Sequence, residues 1–324
     1  MNGAARVSVV IEGYNESLAL GSAAETVAAL AAQDYPSGET EVVLVGSQEQ
    51  VERWRATFPS PDGFADVTFL GADGAHYYEL KNLGADAARG EVVAFLDADV
   101  VPRPGWLSAL VSAIDAGADV VAGLSLFRAE QGHRYPRPFL TVASSVTWGY
   151  VLGEDGAGRP SPRGFLSHNV GFRAETFRLH RYRTDLGRAC AGTLLFDELC
   201  RAGAQIILEP AQQVEHVFTL SWWLARLHVR FGHEVHLLRR LRPEHSWVRH
   251  TGAAEPLLTA AWHLALDVPQ WLRFARALGV PVARRLALVP LVLATSAPAR
   301  AAEAAGMYAT LAAPARMRRF ALAN

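Results

Sequence analysis

Ala94-Phe95-Leu96-Asp97-Ala98-Asp99 closes an apolar run abruptly with two carboxylates one residue apart. Val92 to Leu96 reads as a buried strand, and Pro102 and Pro104 prevent its continuation. In an open α/β sheet ligands gather at the carboxyl ends of strands, and a hard divalent cation there takes oxygen ligands while leaving positions for phosphate. Asp97 and Asp99 are the candidate ligands. A capped turn before the helix at Trp106 is the competing reading of the same two residues.

Upstream, Glu79 to Ala88 reads as a short helix that runs through Lys81-Asn82-Leu83-Gly84 into Gly90-Glu91 and the strand. Near the start, Val7 to Ile11 is a second continuous apolar strand, followed by Gly13-Tyr14-Asn15-Glu16. Between and after these blocks, element types alternate. Helices are expected over Ser22–Gln33, Gln48–Phe58, Tyr77–Ala88 and Gly105–Ala116, and strands over Glu41–Val45, Val67–Leu70 and Asp119–Gly123. Such alternation builds a mostly parallel, Rossmann-like sheet flanked by helices.

Composition narrows the function classes. The chain has 324 residues, enough for a sizeable core, and a formal net charge of −1. Its first half has no basic blocks, which argues against a nucleic-acid partner. Cys190 and Cys200 are the only cysteines. They form no Cys-x-x-Cys spacing and suit a reducing compartment. Met1 to Arg6 contains no apolar signal core, so a cytoplasmic location is expected, at the inner face of the membrane if a membrane is involved.

The two strand-and-loop blocks together resemble the family 2 glycosyltransferases. Those sequences carry a Tyr-Asn-Glu loop after the first strand, an Arg/Lys-Asn-x-Gly helix, a Gly-Glu pair and Phe-Leu-Asp-x-Asp. The resemblance implies the A-type glycosyltransferase fold, a nucleotide-diphospho-sugar donor (a UDP- or GDP-sugar) and Mg²⁺ or Mn²⁺ as cofactor. It places Tyr14, Asn15, Glu16, Lys81, Asn82 and Asp97 at the nucleotide, and Asp97 and Asp99 at the metal. Gly164 to Arg173 also follows the family pattern and makes His168 and Asn169 candidate sugar contacts, with satisfied interior polar groups as the alternative. Glu209-Pro210 to Glu215-His216 matches the family's Pro-x-x-x-Val-x-His ending. His216 is thereby implied as a third metal ligand, against a core histidine bonded to a carbonyl.

Two departures stand out. The second strand should end in an Asp-Asp-Gly-Ser type loop, but the chain has Val45-Gly46-Ser47. Glu12 is a candidate replacement for the missing acid, or an ordinary surface residue. Further on, Ala191 and Gly192 stand where the family usually has the acidic pair that supplies the base of an inverting displacement. Asp197 and Glu198 are the nearest acids on that helix, about 100° apart around it, so at most one faces a cleft. Asp197 is the preferred base, with a solvated helical face as the alternative for both.

In the irregular stretch from Leu124 to Pro162, Trp148 is a candidate substrate platform. On the helix expected over Leu220–Arg240, Arg226 and Arg230 are four apart and are candidates to neutralise a leaving diphosphate. Beyond Pro256 the chain turns to Ala, Leu, Val and Arg with almost no acid. Its longest apolar run falls short of the roughly 20 residues of a spanning helix, and peripheral membrane contact fits better. A catalytic domain over 1–250 and a helical extension over 251–324 are expected.

The sequence thus points to a metal-dependent transfer of sugar from a nucleotide donor to a hydroxyl of an apolar or membrane-associated acceptor, a small molecule or a lipid. The alternatives are a non-catalytic glycosyltransferase-like binding or scaffold protein that lacks the base, and a nucleotidyltransferase, which should carry a Gly-rich phosphate loop where Gly13-Tyr14-Asn15-Glu16 stands.

Overall fold

The computed structural model describes residues 5–17, 22–58, 63–129, 133–242, 244 and 252–322. Among the described residues ten strands form in chain order. They are β1 (Val7–Glu12), β2 (Thr40–Gly46), β3 (Asp66–Gly71), β4 (Val92–Asp97), β5 (Val100–Pro102), β6 (Val120–Ala129), β7 (Leu152–Glu154), β8 (Pro160–Pro162), β9 (Asn169–Arg173) and β10 (Ile206–Phe218). Eight of them make one sheet in the order β3-β2-β1-β4-β9-β6-β10-β5, while β7 and β8 pair separately. The β3-β2-β1-β4 half is parallel. Strand β9 runs antiparallel to both of its neighbours, and β5 lies antiparallel on β10.

The central parallel strands β1, β2 and β4 are mostly apolar and fully buried because helices cover both faces. Alternate side chains of β1 go to opposite layers: Val7, Val9 and Ile11 join Leu96, Trp54 and Trp106, whereas Val10 joins Val43, Phe95 and Phe172. The helix Tyr77–Ala87 lies on the second layer. Gly84 permits its close approach, since a methyl group there would overlap Val10 and meet Val45. That approach brings the helix's first two turns over the carboxyl end of β4.

The chain divides into two compact units. The first comprises Met1–Ser125, Gly153–Gly187 and Ala191–Val217, and holds the sheet. The second comprises Leu126–Leu152, Arg188–Cys190 and Phe218–Asn324. The expected boundary at 250 falls outside the described residues, and the C-terminal helices share their unit with the helix Arg137–Trp148. Within this second unit, helices Val229–Leu241 and Val289–Ala312 cross at reciprocal glycines. A side chain at Gly232 would strike the Glu303 carbonyl, and one at Gly306 the Val229 carbonyl.

Candidate active site

The end of β4 is a turn held from both sides. Glu12 of β1 sits in register with Asp97, and the Ala98 amide donates to the Glu12 carbonyl at 3.0 Å. From the helix Ala23–Ala31, the Thr26 hydroxyl donates to the carbonyls of Ala98 at 3.1 Å and Val100 at 2.9 Å, which fixes the Asp97-Ala98-Asp99 turn. Val100 pairs with His216 across β5 and β10, so Asp99 emerges beside that imidazole.

Asp97 and Asp99 have different partners. Lys81 Nζ lies 2.6 Å from Asp97 Oδ1, and both side chains are buried. The Tyr77 hydroxyl is 2.9 Å from both Asp97 oxygens. Tyr77 and Lys81 are four apart on one helical face, and the ammonium also stands 4.7 Å from the centre of the Tyr77 ring. Asn15 Nδ2 bridges the pair, donating to Asp97 Oδ2 at 3.2 Å and Asp99 Oδ1 at 2.9 Å. The remaining oxygen, Asp99 Oδ2, is buried without an aligned hydrogen bond and lies 2.8 Å from His216 Nε2.

His216 Nδ1 is 3.0 Å from the Val217 carbonyl, an acceptor that places the proton on Nδ1 and turns Nε2 toward Asp99. Two lone pairs cannot face each other at that distance, so a cation or a proton belongs between them. Burial disfavours a charged imidazole, but Asp99 outweighs it and raises the His216 pKa above the ordinary value. His168, edge-on to His216 at 6.2 Å, behaves oppositely. Burial pushes its pKa down to about 4, and its Nε2 lies 2.9 Å from the Ser125 hydroxyl. Among the described residues, no three His, Cys, Asp or Glu side chains form a ready metal cage. The donor set that exists, one carboxylate oxygen facing one anchored imidazole, suits an ion that takes its other ligands from phosphate and water.

The structure brings Asn15, Lys81, Asp97, Asp99, His168 and His216 together, and adds Tyr77 and Ser125, which sequence reasoning missed. The i,i+4 spacing of Tyr77 and Lys81 was the available signal. The other candidates sit elsewhere. Glu16 accepts from Trp54 Nε1 at 2.8 Å and pairs with Arg53 at 3.4 Å. Glu12 is buried, with Oε2 accepting the Tyr14 amide at 2.7 Å, so it shapes the loop. The Tyr14 ring packs edge-on to Tyr77 at 6.3 Å. Asn82 donates to the Tyr182 carbonyl at 2.8 Å. Ser47, at the end of β2, is spent on capping the helix Gln48–Thr57.

Asn169 is corrected from sugar contact to core. It is fully buried, accepts from Trp106 Nε1 at 2.8 Å and donates to the Leu124 carbonyl at 2.9 Å. Trp148 is likewise core in the second unit, its ring tilted against Phe127 with centroids 4.3 Å apart. Arg226 is exposed, whereas Arg230 is mostly buried and 3.3 Å from Glu234. Arg226 lies in a π-helical segment, Trp223–His228, and Arg230 in the α-helix that follows it.

Asp197 and Glu198 lie on a different face of their helix from Gly192. On the helix Ala191–Arg201, Gly192 faces the Tyr78 and Ser167 hydroxyls, themselves 3.2 Å apart, and Leu195 and Leu199 continue that buried face. Five and six residues beyond Gly192 put both acids more than about 100° away around the helix. Glu198 instead pairs with His180 at 2.7 Å.

A mixed sheet covered by helices, with paired carboxylates at the end of a central strand, defines an α/β protein whose candidate site lies at the carboxyl ends of its strands. Residues 8–181 match the Glycosyl transferase family 2 model, and the chain belongs to that family. It is similar to a glucosyl-dolichyl phosphate glucuronosyltransferase of Haloferax volcanii, with 29% identity over 56% of this chain and 58% of the relative. A second relative from that organism, glycosyltransferase AglE, is 32% identical over 36% of this chain and 38% of its own length. The chain thus spans less than two thirds of either. Among solved structures, it is similar to the mannosyltransferase PcManGT from Pyrobaculum calidifontis in complex with GDP-Man and Mn²⁺. The TM-score is 0.57, with 19% identity, covering 94% of this chain and 87% of that one. GalNAc-T7 with UDP, GalNAc and Mn²⁺ scores 0.50 at 15% identity over 68% of this chain and 45% of that one. The fold is the A-type glycosyltransferase fold expected from the sequence.

Proposed function

We propose that this chain transfers a sugar from a nucleoside-diphosphate donor to a hydroxyl of a lipid-linked or otherwise apolar acceptor. The observation that carries the reading is the opposition of Asp99 Oδ2 and His216 Nε2 across 2.8 Å at the carboxyl end of β4. Asp99 and His216 would hold a Mg²⁺ or Mn²⁺ ion, and Asp97, already neutralised by Lys81, would orient the nucleotide side of the donor. When bound, such an ion neutralises charge that builds on the diphosphate as it departs. Asn15 keeps the two carboxylates in register, and Lys81 and Tyr77 stop Asp97 from turning toward its neighbour. The Ser125–His168 pair offers uncharged hydrogen-bonding groups for sugar hydroxyls. The dolichyl-linked substrate named for one relative, and the Mn²⁺ and nucleotide sugars bound by the structural neighbours, support the same assignment.

A second reading has one specific observation behind it. The first turn of the helix Ala191–Arg201 carries no carboxylate, and the two acids of that helix face away from Gly192, as a binding protein without a base would have it. Incubation with a panel of UDP- and GDP-sugars, Mn²⁺ and polyprenyl-phosphate sugar acceptors separates the two. A catalyst releases nucleoside diphosphate and glycosylated lipid, and Asp99→Asn abolishes both. A binding protein retains the donor without turnover.

A further inference from the structure

The C-terminal helices of the second unit carry their charges inward and their apolar side chains outward. On the helix Glu255–Ala277, Leu257, Leu258, Ala261, Trp262, Ala265 and Leu266 recur at the spacing of one face, and that face is exposed, with Trp262 at 61%. On the helix Val289–Ala312, Leu293, Ala297, Ala301, Tyr308 and Leu311 are exposed, while its two charged residues, Arg300 and Glu303, are buried. Water-facing helices of soluble proteins show the opposite arrangement.

The buried charges are paired. Arg300 Nε and Nη2 reach the two Asp267 oxygens at 2.9 and 2.6 Å, and Nη1 reaches Glu303 at 2.9 Å. Arg300 also donates to the Val146 carbonyl at 2.9 Å, and His263 Nδ1 lies 2.6 Å from Glu303. This network ties the two helices and the helix Arg137–Trp148 together. The outward apolar side chains take no part in this network.

The exposed charge of this region has one sign. Its three acids, Glu255, Asp267 and Glu303, are all buried, whereas Arg276, Arg284, Arg316, Arg318 and Arg319 are exposed. A second copy of the chain docked against this region would bring arginines together with no exposed acid of the region to pair them. An anionic lipid surface would instead take the apolar side chains into its acyl boundary and pair phosphates with the arginines. Among the described residues no helix is long and apolar enough to cross a membrane, so the helices would lie in the plane of the interface.

We propose that the helices Glu255–Ala277 and Val289–Ala312 form a monotopic docking face for an anionic bilayer. The inference rests on the second unit alone and does not depend on donor or sugar transfer. Its test is sedimentation of the full chain with phosphatidylcholine vesicles containing roughly a quarter phosphatidylglycerol. The parent chain should cosediment. The triple variant Leu258→Glu/Trp262→Glu/Leu266→Glu should lose partitioning by about tenfold or more while keeping its circular dichroism and melting temperature, because only exposed side chains change. Arg316→Gln/Arg319→Gln should weaken binding to these vesicles and leave the weaker binding to pure phosphatidylcholine unaltered. A parent chain that stays in the supernatant overturns the proposal. So does a monomer–dimer equilibrium, seen by analytical ultracentrifugation, that the triple variant abolishes without any vesicle binding.

Discussion

Lys81 and Asp97 form a buried ion pair at 2.6 Å, and the lysine comes from the same helical face as the tyrosine that bonds both oxygens of that carboxylate. Removing one partner leaves the other charged and unpaired in the interior, which costs about 3–5 kcal/mol. Lys81→Met should therefore lower stability by that amount in urea denaturation. Donor affinity should fall as well, since only Tyr77 and Asn15 are then left to orient Asp97. A variant as stable as the parent would show that the pair is not what organises the strand end.

Gly84→Ala tests how the helix Tyr77–Ala87 is placed. In an exposed helix this change gains up to about 1 kcal/mol. Here the added methyl overlaps Val10 and Val45, so the variant should be destabilised and should bind donor more weakly as Tyr77 and Lys81 lift away from Asp97. Thermal unfolding and a donor titration on the same preparation read both effects.

His228 gives the second unit a pH dependence. It is fully buried, neither ring nitrogen has a hydrogen-bond partner among the described residues, and burial lowers its pKa from 6.5 to about 3. The unfolded chain takes up a proton below 6.5 that the folded chain refuses. Stability is therefore complete above 6.5 and is lost as pH falls toward 3, by up to about 1.4 kcal/mol per unit from this group. His228→Phe should flatten the slope between pH 6.5 and 5 by about that amount. An unchanged slope in urea titrations across that range would contradict the assignment.

Asp197→Asn and Glu198→Gln should each keep turnover within about twofold, because both side chains face away from Gly192. Loss of turnover in Asp197→Asn at unchanged donor affinity would restore that residue as the base.

Much of the sheet was legible because β1 and β4 are apolar but for Ser8 and the acids that close each strand, as strands buried on both faces are. The Asp97-Ala98-Asp99 turn was legible because prolines end the strand behind it. What a polar residue bonds to was not. Lys81 reads as a nucleotide contact in sequence and is an ion-pair partner in space. Asn169 reads as a sugar contact and is consumed by Trp106 and the Leu124 carbonyl. Both depend on which strands become neighbours, and β9 inserts between β4 and β6 against chain order. Trp148 and the C-terminal helices share one unit for the same reason: their contacts are separated by more than a hundred residues and leave no local pattern. The inward placement of Arg300 and Asp267 was equally hidden, because a lone arginine in an apolar helix gives no sign of which way it faces.

The central claim is that Asp99 and His216 jointly hold a divalent ion against a donor diphosphate. Electron paramagnetic resonance of Mn²⁺ tests it directly, with the parent chain, Asp99→Asn and His216→Ala each titrated in the presence and absence of UDP and GDP. The parent should bind Mn²⁺ tightly only when one of the nucleotides is present, His216→Ala should bind more weakly, and Asp99→Asn should leave the Mn²⁺ free at the same concentrations. Nucleotide-dependent Mn²⁺ binding of equal strength in all three proteins would contradict the claim.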